Sequence, residues 1–164
     1  MLTLGVDPGT ARLGYGIVQS RGQDREALAY GVLETSAAVP MPERLLTLHA
    51  GLRDVIEEFL PTAMAVERLF FARNVTTALA VGQARGVILL AAAQFGVPVA
   101  EYTPAEVKQS VSGYGKADKE QMQEMVRLVL GLDHLPQPDD AADALAIALC
   151  HTQFAAYARA GSGS

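Results

Sequence analysis

The chain of 164 residues has a formal net charge of -5, is 50% apolar and contains one cysteine. This length fits one domain with a single core, and the apolar content excludes a disordered chain. A lone cysteine cannot form an internal disulfide, which favours a reducing, cytoplasmic compartment. The N-terminal residues lack a basic leader, so we expect no signal peptide. Polar residues at positions 83, 85 and 94 interrupt the most apolar region, so we expect no membrane span.

The first part of the chain predicts three strands followed by a helix. Apolar, β-compatible runs over 2–6, 14–20 and 28–35 are expected to pair as an antiparallel meander, with a polar stretch linking the last two. Apolar residues at spacings of three and four over 42–60 predict an amphipathic helix, which Pro61 ends. A carboxylate, Asp7, follows the first strand directly and precedes a Pro-Gly turn.

The second part alternates strands and helices. Strands are expected over 63–67 and 97–102, and helices over 74–95, from Thr103-Pro104 onward, over 119–130 and over 139–159. A glycine-rich loop with two lysines, 112–119, separates two of these helices. The pattern predicts an α/β fold, a mixed sheet with helices on its faces, in one domain over 1–158 with a flexible tail over 159–164.

Carboxylates occupy positions from which they could meet. Asp7 and Glu67 each end a predicted strand, where open α/β sheets place functional groups. In DDAAD, at the start of the last helix, Asp140 and Asp143 share a face at a spacing of i, i+3. Asp139 and Asp143, at i, i+4, share a face as well, so spacing alone does not choose between the two pairs.

Clustered carboxylates are costly without cations, because two like charges about 4 Å apart repel by roughly 1 to 4 kcal/mol. Oxygen ligands without histidine or thiolate suit Mg²⁺ or Mn²⁺, and paired ions of this kind serve phosphodiester hydrolysis. Each acid also has a structural interpretation. Asp7 before Pro-Gly could form a turn, Glu67 could be a solvated strand end, and the first acids of DDAAD could cap a helix.

Four stretches together resemble the RuvC family of Holliday-junction resolvases: GVDPGTARLGYGIV, AVERLFFARNVTTALAVGQARGVILLAA, YTPAEVKQSVSGYGKADKEQM and PDDAADALAIALCH. The resemblance runs to about residue 155. It implies a ribonuclease H-like fold with a five-stranded mixed sheet flanked by helices, and a homodimer that nicks two opposed strands of a four-way junction in recombination and repair. It also implies two Mg²⁺ ions per active site, with Mn²⁺ as a substitute, 5′-phosphate products, and the branch-migration proteins RuvA and RuvB as partners.

The resemblance also assigns the acids. It implies that Asp7, Glu67, Asp140 and Asp143 are the catalytic metal ligands, with Asp139 left as the N-cap of the last helix.

The family further carries an aromatic residue just after the catalytic glutamate, which stacks on a junction base. Phe70 matches this position best, and Phe71 stands beside it. Stacking contacts of this kind are worth about 1 to 3 kcal/mol each. The structural alternative places both aromatic residues in the core.

The resemblance implies DNA contacts for Lys108 and Lys119, and we add Lys116, Arg73 and Arg85 as expected phosphate contacts. On sequence alone, lysines interleaved with acids are more typical of a solvated surface. The Ala-rich stretch 78–93 is apolar on more than one face, which is consistent with contact to a second copy or with burial inside one chain.

Three other functions compete with this one. An actin-like sugar kinase or ATPase shares the first motif, but it needs a second related domain. A non-catalytic junction-binding protein would have lost one of the acids. Another ribonuclease H-like nuclease, acting on RNA–DNA hybrids or ribosomal precursors, would lack the lysine-rich loop and the stacking aromatic residue.

Overall fold

The computed structural model describes residues 1–68 and 74–161. Within these residues five strands and five helices follow one another: β1 (Leu2–Asp7), β2 (Arg12–Arg21), β3 (Asp24–Glu34), α1 (Met41–Phe59), β4 (Ala63–Glu67), α2 (Val75–Gln94), β5 (Val99–Tyr102), α3 (Pro104–Ser112), α4 (Lys119–Val129) and α5 (Asp139–Gly161).

The five strands form one mixed sheet in the order β3-β2-β1-β4-β5. The first three strands pair as an antiparallel meander, whereas β4 runs parallel to both β1 and β5. Strand β1 is therefore central, with a hairpin partner on one side and a strand from much later in the chain on the other. The predicted five-stranded mixed sheet with flanking helices is confirmed.

Two predicted boundaries differ from the structure. The polar stretch expected to link the second and third strands is mostly strand, because β2 and β3 pair as far as Arg21 and Asp24 and leave only Gly22 and Gln23 in the turn. Strand β3 is an edge strand whose residues alternate between exposed and half-buried, so it tolerates polar side chains. At the other end, α5 continues to Gly161, so residues 159–161 are helical where we expected a tail.

Each face of the sheet is covered by its own set of helices. Helices α1 and α2 bury one core that includes Leu4 and Val6 of β1, and α3, α4 and α5 bury the other, which includes Ala65 of β4. Thr103 and Asn74 cap α3 and α2 as predicted, and Thr103 forms a capping box with Glu106. Both faces of the sheet are thus covered by helices that pack against it.

Helix α5 lies unusually close to the sheet. A Cβ on Gly5 would fall 2.0 Å from the carbonyl oxygen of Ala144, so no larger residue fits between β1 and the helix. Alanine and glycine at this contact allow the two backbones to approach. This close contact fixes the height of the α5 N-terminus above the sheet.

Helix α2 is apolar yet largely exposed. By length and composition alone it could cross a membrane, with a mean hydropathy of 1.5, and only 22% of that segment is buried. From the sequence we expected the polar residues of this region to rule out a helix apolar enough to span a membrane, and this expectation was wrong. One helix of this kind is weak evidence of a membrane span. Helix α2 packs against α1, and its residues Ile88, Ala91 and Ala92 are buried in the core that the two helices share.

Candidate active site

Asp7 and Glu67 are brought together by parallel strand pairing. The register between β1 and β4 places Val6 opposite Val66, and the next residue of each strand is a carboxylate. Both strands end at this point, so both acids lie at the C-terminal ends of the parallel strands β1 and β4. This is the edge where open α/β sheets carry their functional groups.

The first turns of α5 add the acids of the DDAAD motif. Gly14 pairs with Asp7 in the sheet, and a Cβ at Gly14 would lie 2.0 Å from the carbonyl oxygen of Asp140. The missing side chain therefore lets α5 begin directly over β2, next to the residue that pairs with Asp7. Asp143 lies one turn further along the same helix.

Asp139 does not act as the helix cap that we expected. It is the first residue of α5, and its side chain turns towards α4. There it accepts a hydrogen bond of 3.0 Å from Nε2 of Gln123 and pairs at 2.6 Å with Nζ of Lys119. The Lys119 and Gln123 contacts hold the pKa of the Asp139 carboxyl below its usual value.

Among the four predicted ligands, Asp7 has the most strongly raised pKa. Its pKa is raised from 3.8 to about 8, first by burial and then by the charges of Glu67, Asp143 and Asp140, while Lys119 opposes the increase. A carboxyl with this pKa holds its proton at neutral pH unless a cation offsets the neighbouring charges. Asp7 therefore lies within electrostatic range of the three other acids that were predicted to join it.

Glu67 and Asp143 show the same effect at smaller magnitude. Burial raises the pKa of Glu67, as does the charge of Asp143, and nearby Lys108 lowers it. Burial also raises the pKa of Asp143, against the influence of Lys119. Like charges held together out of water are typical of functional sites, where bound cations compensate them.

The acids fit a divalent cation by chemistry, but they are not already arranged as a ligand sphere. Among residues 1–68 and 74–161, no three acidic, histidine or cysteine side chains surround a common point closely enough to hold a metal ion. The donor set consists of carboxylate oxygens alone, which Mg²⁺ and Mn²⁺ prefer. The repulsion that raises the pKa of Asp7 is what such an ion would offset. The predicted acids are thus neighbours, although they do not converge on one point.

A cleft of about 230 Å³ opens beside the acids. Its wall combines Glu67 and Asp143 with Lys108 and Lys119, two of the predicted DNA contacts. Lys116 is exposed on the loop between α3 and α4 and does not line this cleft. The cleft therefore places two cations next to the carboxylates, as required to hold an anionic backbone near a metal site.

Arg12 is a neighbour of the acids that sequence reasoning missed. Its guanidinium lies 3.9 Å from Oδ2 of Asp140 and 3.2 Å from Oε1 of Glu34. It also lines an open groove with Thr76 and Thr77 at the start of α2. The available signal was its position, five residues after Asp7 and just beyond the Pro-Gly turn.

The other predicted DNA contacts are Phe70, Arg73 and Arg85, with Phe71 as the alternative stacking residue. Phe70, Phe71 and Arg73 fall outside the described residues. Arg85 was expected to contact phosphate, but its Nε donates a hydrogen bond of 2.7 Å to Oε1 of Glu101 on β5. This guanidinium therefore already has an acidic partner within the chain, and its contact with phosphate stays a prediction.

Together the mixed sheet, the acids at its carboxyl edge and the lysine-lined cleft define a nuclease of the carboxylate, metal-dependent class. A family model described as "Crossover junction endodeoxyribonuclease RuvC" matches residues 3–151. The chain therefore belongs to the RuvC family of crossover junction endodeoxyribonucleases. The predicted family and enzyme class are confirmed.

Similar proteins cover nearly the whole chain. A protein of the same description from Moorella thermoacetica is 59% identical over 157 residues, which is 96% of this chain and 94% of that protein. The corresponding protein from Chloroflexus aggregans is 61% identical over 155 residues, 94% of each chain.

Solved structures agree on the fold. The T. thermophilus RuvC in complex with Holliday junction substrate superposes with a TM-score of 0.91 at 44% identity, covering 94% of each chain. The yeast mitochondrial Holliday junction resolvase Ydc2 has a TM-score of 0.66 at 14% identity, covering 94% of this chain and 80% of that one. The second likeness concerns the fold alone. The predicted ribonuclease H-like fold of the resolvases is confirmed.

Proposed function

We propose that this protein resolves four-way DNA junctions by paired, metal-dependent hydrolysis of phosphodiester bonds, in homologous recombination and DNA repair. The observation that carries the proposal is the cluster of Asp7, Glu67 and Asp143 beside a cleft lined by Lys108 and Lys119. Membership of the crossover junction endodeoxyribonuclease family and the likeness to a resolvase bound to its junction support it.

The acids hold the metal ions in this proposal. Asp7, Glu67, Asp140 and Asp143 are the ligands, and their all-oxygen donor set suits Mg²⁺, for which Mn²⁺ can substitute. Two ions per site are proposed from the family resemblance. Bound ions would activate the attacking water and stabilise the leaving oxygen; departure of the 3′ oxygen would leave a 5′-phosphate and a 3′-hydroxyl at each nick. The burial of Asp7 and Asp143 keeps bulk water from screening these charges, and the rigid strand and helix ends fix the carboxylates.

The basic residues hold the DNA backbone. Lys108 and Lys119, in the cleft, orient the phosphate that is cut, and Lys116, on the exposed loop, contacts a phosphate further along. Contacts of this kind fix the register of the substrate without reading its sequence. Phe70 and Arg73 keep their proposed roles as stacking residue and phosphate contact.

Paired cleavage requires two active sites, and we propose a homodimer that forms through α2. Six exposed residues of this helix recur at spacings of three and four, which places them on one face: Val75, Leu79, Gln83, Gly86, Leu90 and Ala93. Val75, Leu79 and Leu90 are 72%, 65% and 53% exposed. A nearly continuous apolar stripe on a helix surface fits a matching stripe on a second copy.

The proposed partners beyond DNA are RuvA and RuvB, which move junctions, and the proposed compartment is the cytoplasm. Both proposals rest on membership of the family. The lone, buried Cys150 is compatible with a reducing compartment.

The test is cleavage of a synthetic mobile four-way junction, with linear duplex and RNA–DNA hybrid as control substrates. Wild type and Asp7→Asn are compared in EDTA, Mg²⁺ and Mn²⁺, and junction binding is measured in parallel by gel shift. We expect paired nicks in the junction alone, only with a divalent cation, and only in wild type. Asp7→Asn should still bind the junction.

Other outcomes separate the competing functions. Preference for the hybrid would identify a different ribonuclease H-like nuclease. Binding without cleavage under every metal condition would identify a junction-binding protein. Loss of folding in Asp7→Asn would favour a turn-forming role for Asp7.

A further inference from the structure

Lys119 and Asp139 form an ion pair between the first residues of two helices. Nζ of Lys119, at the start of α4, lies 2.6 Å from Oδ2 of Asp139, at the start of α5. The other carboxylate oxygen accepts a hydrogen bond of 3.0 Å from Gln123, one turn along α4. Both oxygens of Asp139 are thus held by the same face of α4.

The position of Lys119 is unfavourable for the helix that it begins. A cation at a helix N-terminus is opposed by the helix dipole, so helix stability does not explain a lysine there. Lys119 interacts electrostatically with Asp143, Asp140 and Asp7 as well as with Asp139. Among residues 1–68 and 74–161, however, only Asp139 has an acidic oxygen within 4.0 Å of its Nζ.

The same ammonium group could therefore pair with the acids that bind metal. The side chain of Lys119 is 58% exposed and long enough to move on its flexible stem. If it turned towards Asp143 or Asp140, it would neutralise a carboxylate that a divalent cation needs. The present pairing with Asp139 leaves those carboxylates available.

We propose that Asp139 is a positioning residue that holds Lys119 at the rim of the cleft and prevents it from competing with the divalent cation for Asp143 and Asp140. Asp139 is not itself a metal ligand. The inference rests on the proposed metal site and adds a residue for which the family resemblance implied only a capping role.

The experiment measures Mn²⁺ binding without DNA, by the electron paramagnetic resonance signal of free Mn²⁺. The proteins are wild type, Asp139→Asn, Lys119→Met and the double variant. Asn keeps the shape of Asp and an oxygen that can accept the Gln123 bond, so the fold should survive, and thermal melting checks this. We expect Asp139→Asn to weaken Mn²⁺ binding about three- to tenfold. Removing a group that orients a metal ligand typically weakens metal binding about ten- to hundredfold, so the expected loss lies at or below the lower end of that range.

The double variant separates the role of Lys119 from the charge of Asp139 itself. In the Lys119→Met background, Asp139→Asn should change Mn²⁺ affinity by less than about twofold, because no ammonium remains to compete. An equal loss in both backgrounds would mean that Asp139 acts through its own charge, and would overturn the inference. So would a normal affinity in Asp139→Asn.

Two further proteins complete the design. Glu124→Gln removes one negative charge from the same helix, at a residue that pairs with Arg127, and should leave Mn²⁺ affinity unchanged. Asp7→Asn should remove Mn²⁺ binding. If wild type and Asp7→Asn bind Mn²⁺ alike, the proposed metal site itself fails and this inference falls with it. If Asp7→Asn loses binding while Asp139→Asn does not, only the role of Asp139 is overturned.

Discussion

Gly14 lies directly beneath Asp140, so close that a Cβ at Gly14 would fall 2.0 Å from the Asp140 carbonyl oxygen. Gly14 is also the strand partner of Asp7. The absence of one side chain therefore sets the spacing between the segments that carry the first and third acids. Backbone atoms on both sides leave no flexible group that could move aside.

The first prediction concerns this contact. Gly14→Ala should force α5 away from the sheet and lower the free energy of unfolding by about 2 to 4 kcal/mol. Mn²⁺ binding should fall with it, because Asp140 and Asp143 move with the helix. Urea denaturation and Mn²⁺ titration measure both effects. Gly115→Ala is the control, since its Cβ would make only ordinary contacts, the nearest at 3.6 Å, and its stability should stay within about 0.5 kcal/mol of wild type.

The second prediction concerns pH in the absence of metal. Asp7 has a pKa of about 8 when folded and an ordinary value of 3.8 otherwise, so the folded state binds more protons between these values. The contribution of Asp7 to stability is therefore fully present below about pH 4 and is lost as pH rises through 8. Asp7→Asn should remove this dependence and be more stable than wild type at pH 8 in EDTA, by about 1 to 3 kcal/mol. Identical pH profiles for the two proteins, from denaturation between pH 5 and 9, would contradict it.

The third prediction concerns stabilisation by metal. A ligand that binds only the folded state raises stability by about 1.4 kcal/mol at ten times its dissociation constant. Mg²⁺ should therefore raise the melting temperature of wild type but not of Asp7→Asn or Asp143→Asn, and EDTA should reverse the shift. Differential scanning calorimetry at constant ionic strength measures this. An equal shift in all three proteins would indicate a general salt effect.

The fourth prediction distinguishes two lysines. Lys108 lines the cleft and lowers the pKa of Glu67, whereas Lys116 is exposed on the loop. Lys108→Met should reduce junction cleavage at least about tenfold and move its pH profile upward, because Glu67 then ionises at higher pH. Lys116→Gln should instead weaken junction binding and reduce the slope of log affinity against log salt by about one, with cleavage of bound junction retained. The same phenotype in both variants would argue against this division of roles.

The fifth prediction concerns the apolar face of α2. Leu79→Glu should prevent self-association, because a charge would be buried against the same face of the partner. Sedimentation analysis should then give a monomer, and junction cleavage should yield single nicks instead of paired ones. Leu46→Glu, at a residue that is 68% exposed on α1, is the matched control and should remain a dimer. A monomeric wild type would reject the interface outright.

The sequence pointed to the acids because Asp7 and Glu67 each end an apolar run and the DDAAD motif opens a helix, and their role as metal ligands stays a prediction. Asp7 and Glu67 were recognisable from chain order alone, since parallel strands bring their carboxyl ends together. The choice of Asp140 over Asp139 came from the family resemblance, because helical spacing allowed either. In the structure the side chain of Asp139 is drawn towards Lys119 and Gln123.

The features that the sequence did not predict depend on packing between distant segments. The Lys119–Asp139 pair joins residues from separate helices, and it exists only because α4 and α5 begin side by side. Arg85 looked like a free cation in a stretch without acids, but its partner Glu101 is supplied by β5. Strand β3 was predicted too short because the polar residues of an edge strand resemble a loop.

The distribution of the acids along the chain has a consequence for biosynthesis. Asp7 lies at the end of β1, whereas Asp140 and Asp143 lie on α5, which follows every other described element and supplies much of one core. A nascent chain on the ribosome therefore has neither the complete site nor the packing that would orient it. Chains that stop before α5 lack Asp140 and Asp143, two of the proposed metal ligands, so in this fold the proposed site forms only after that helix has been made.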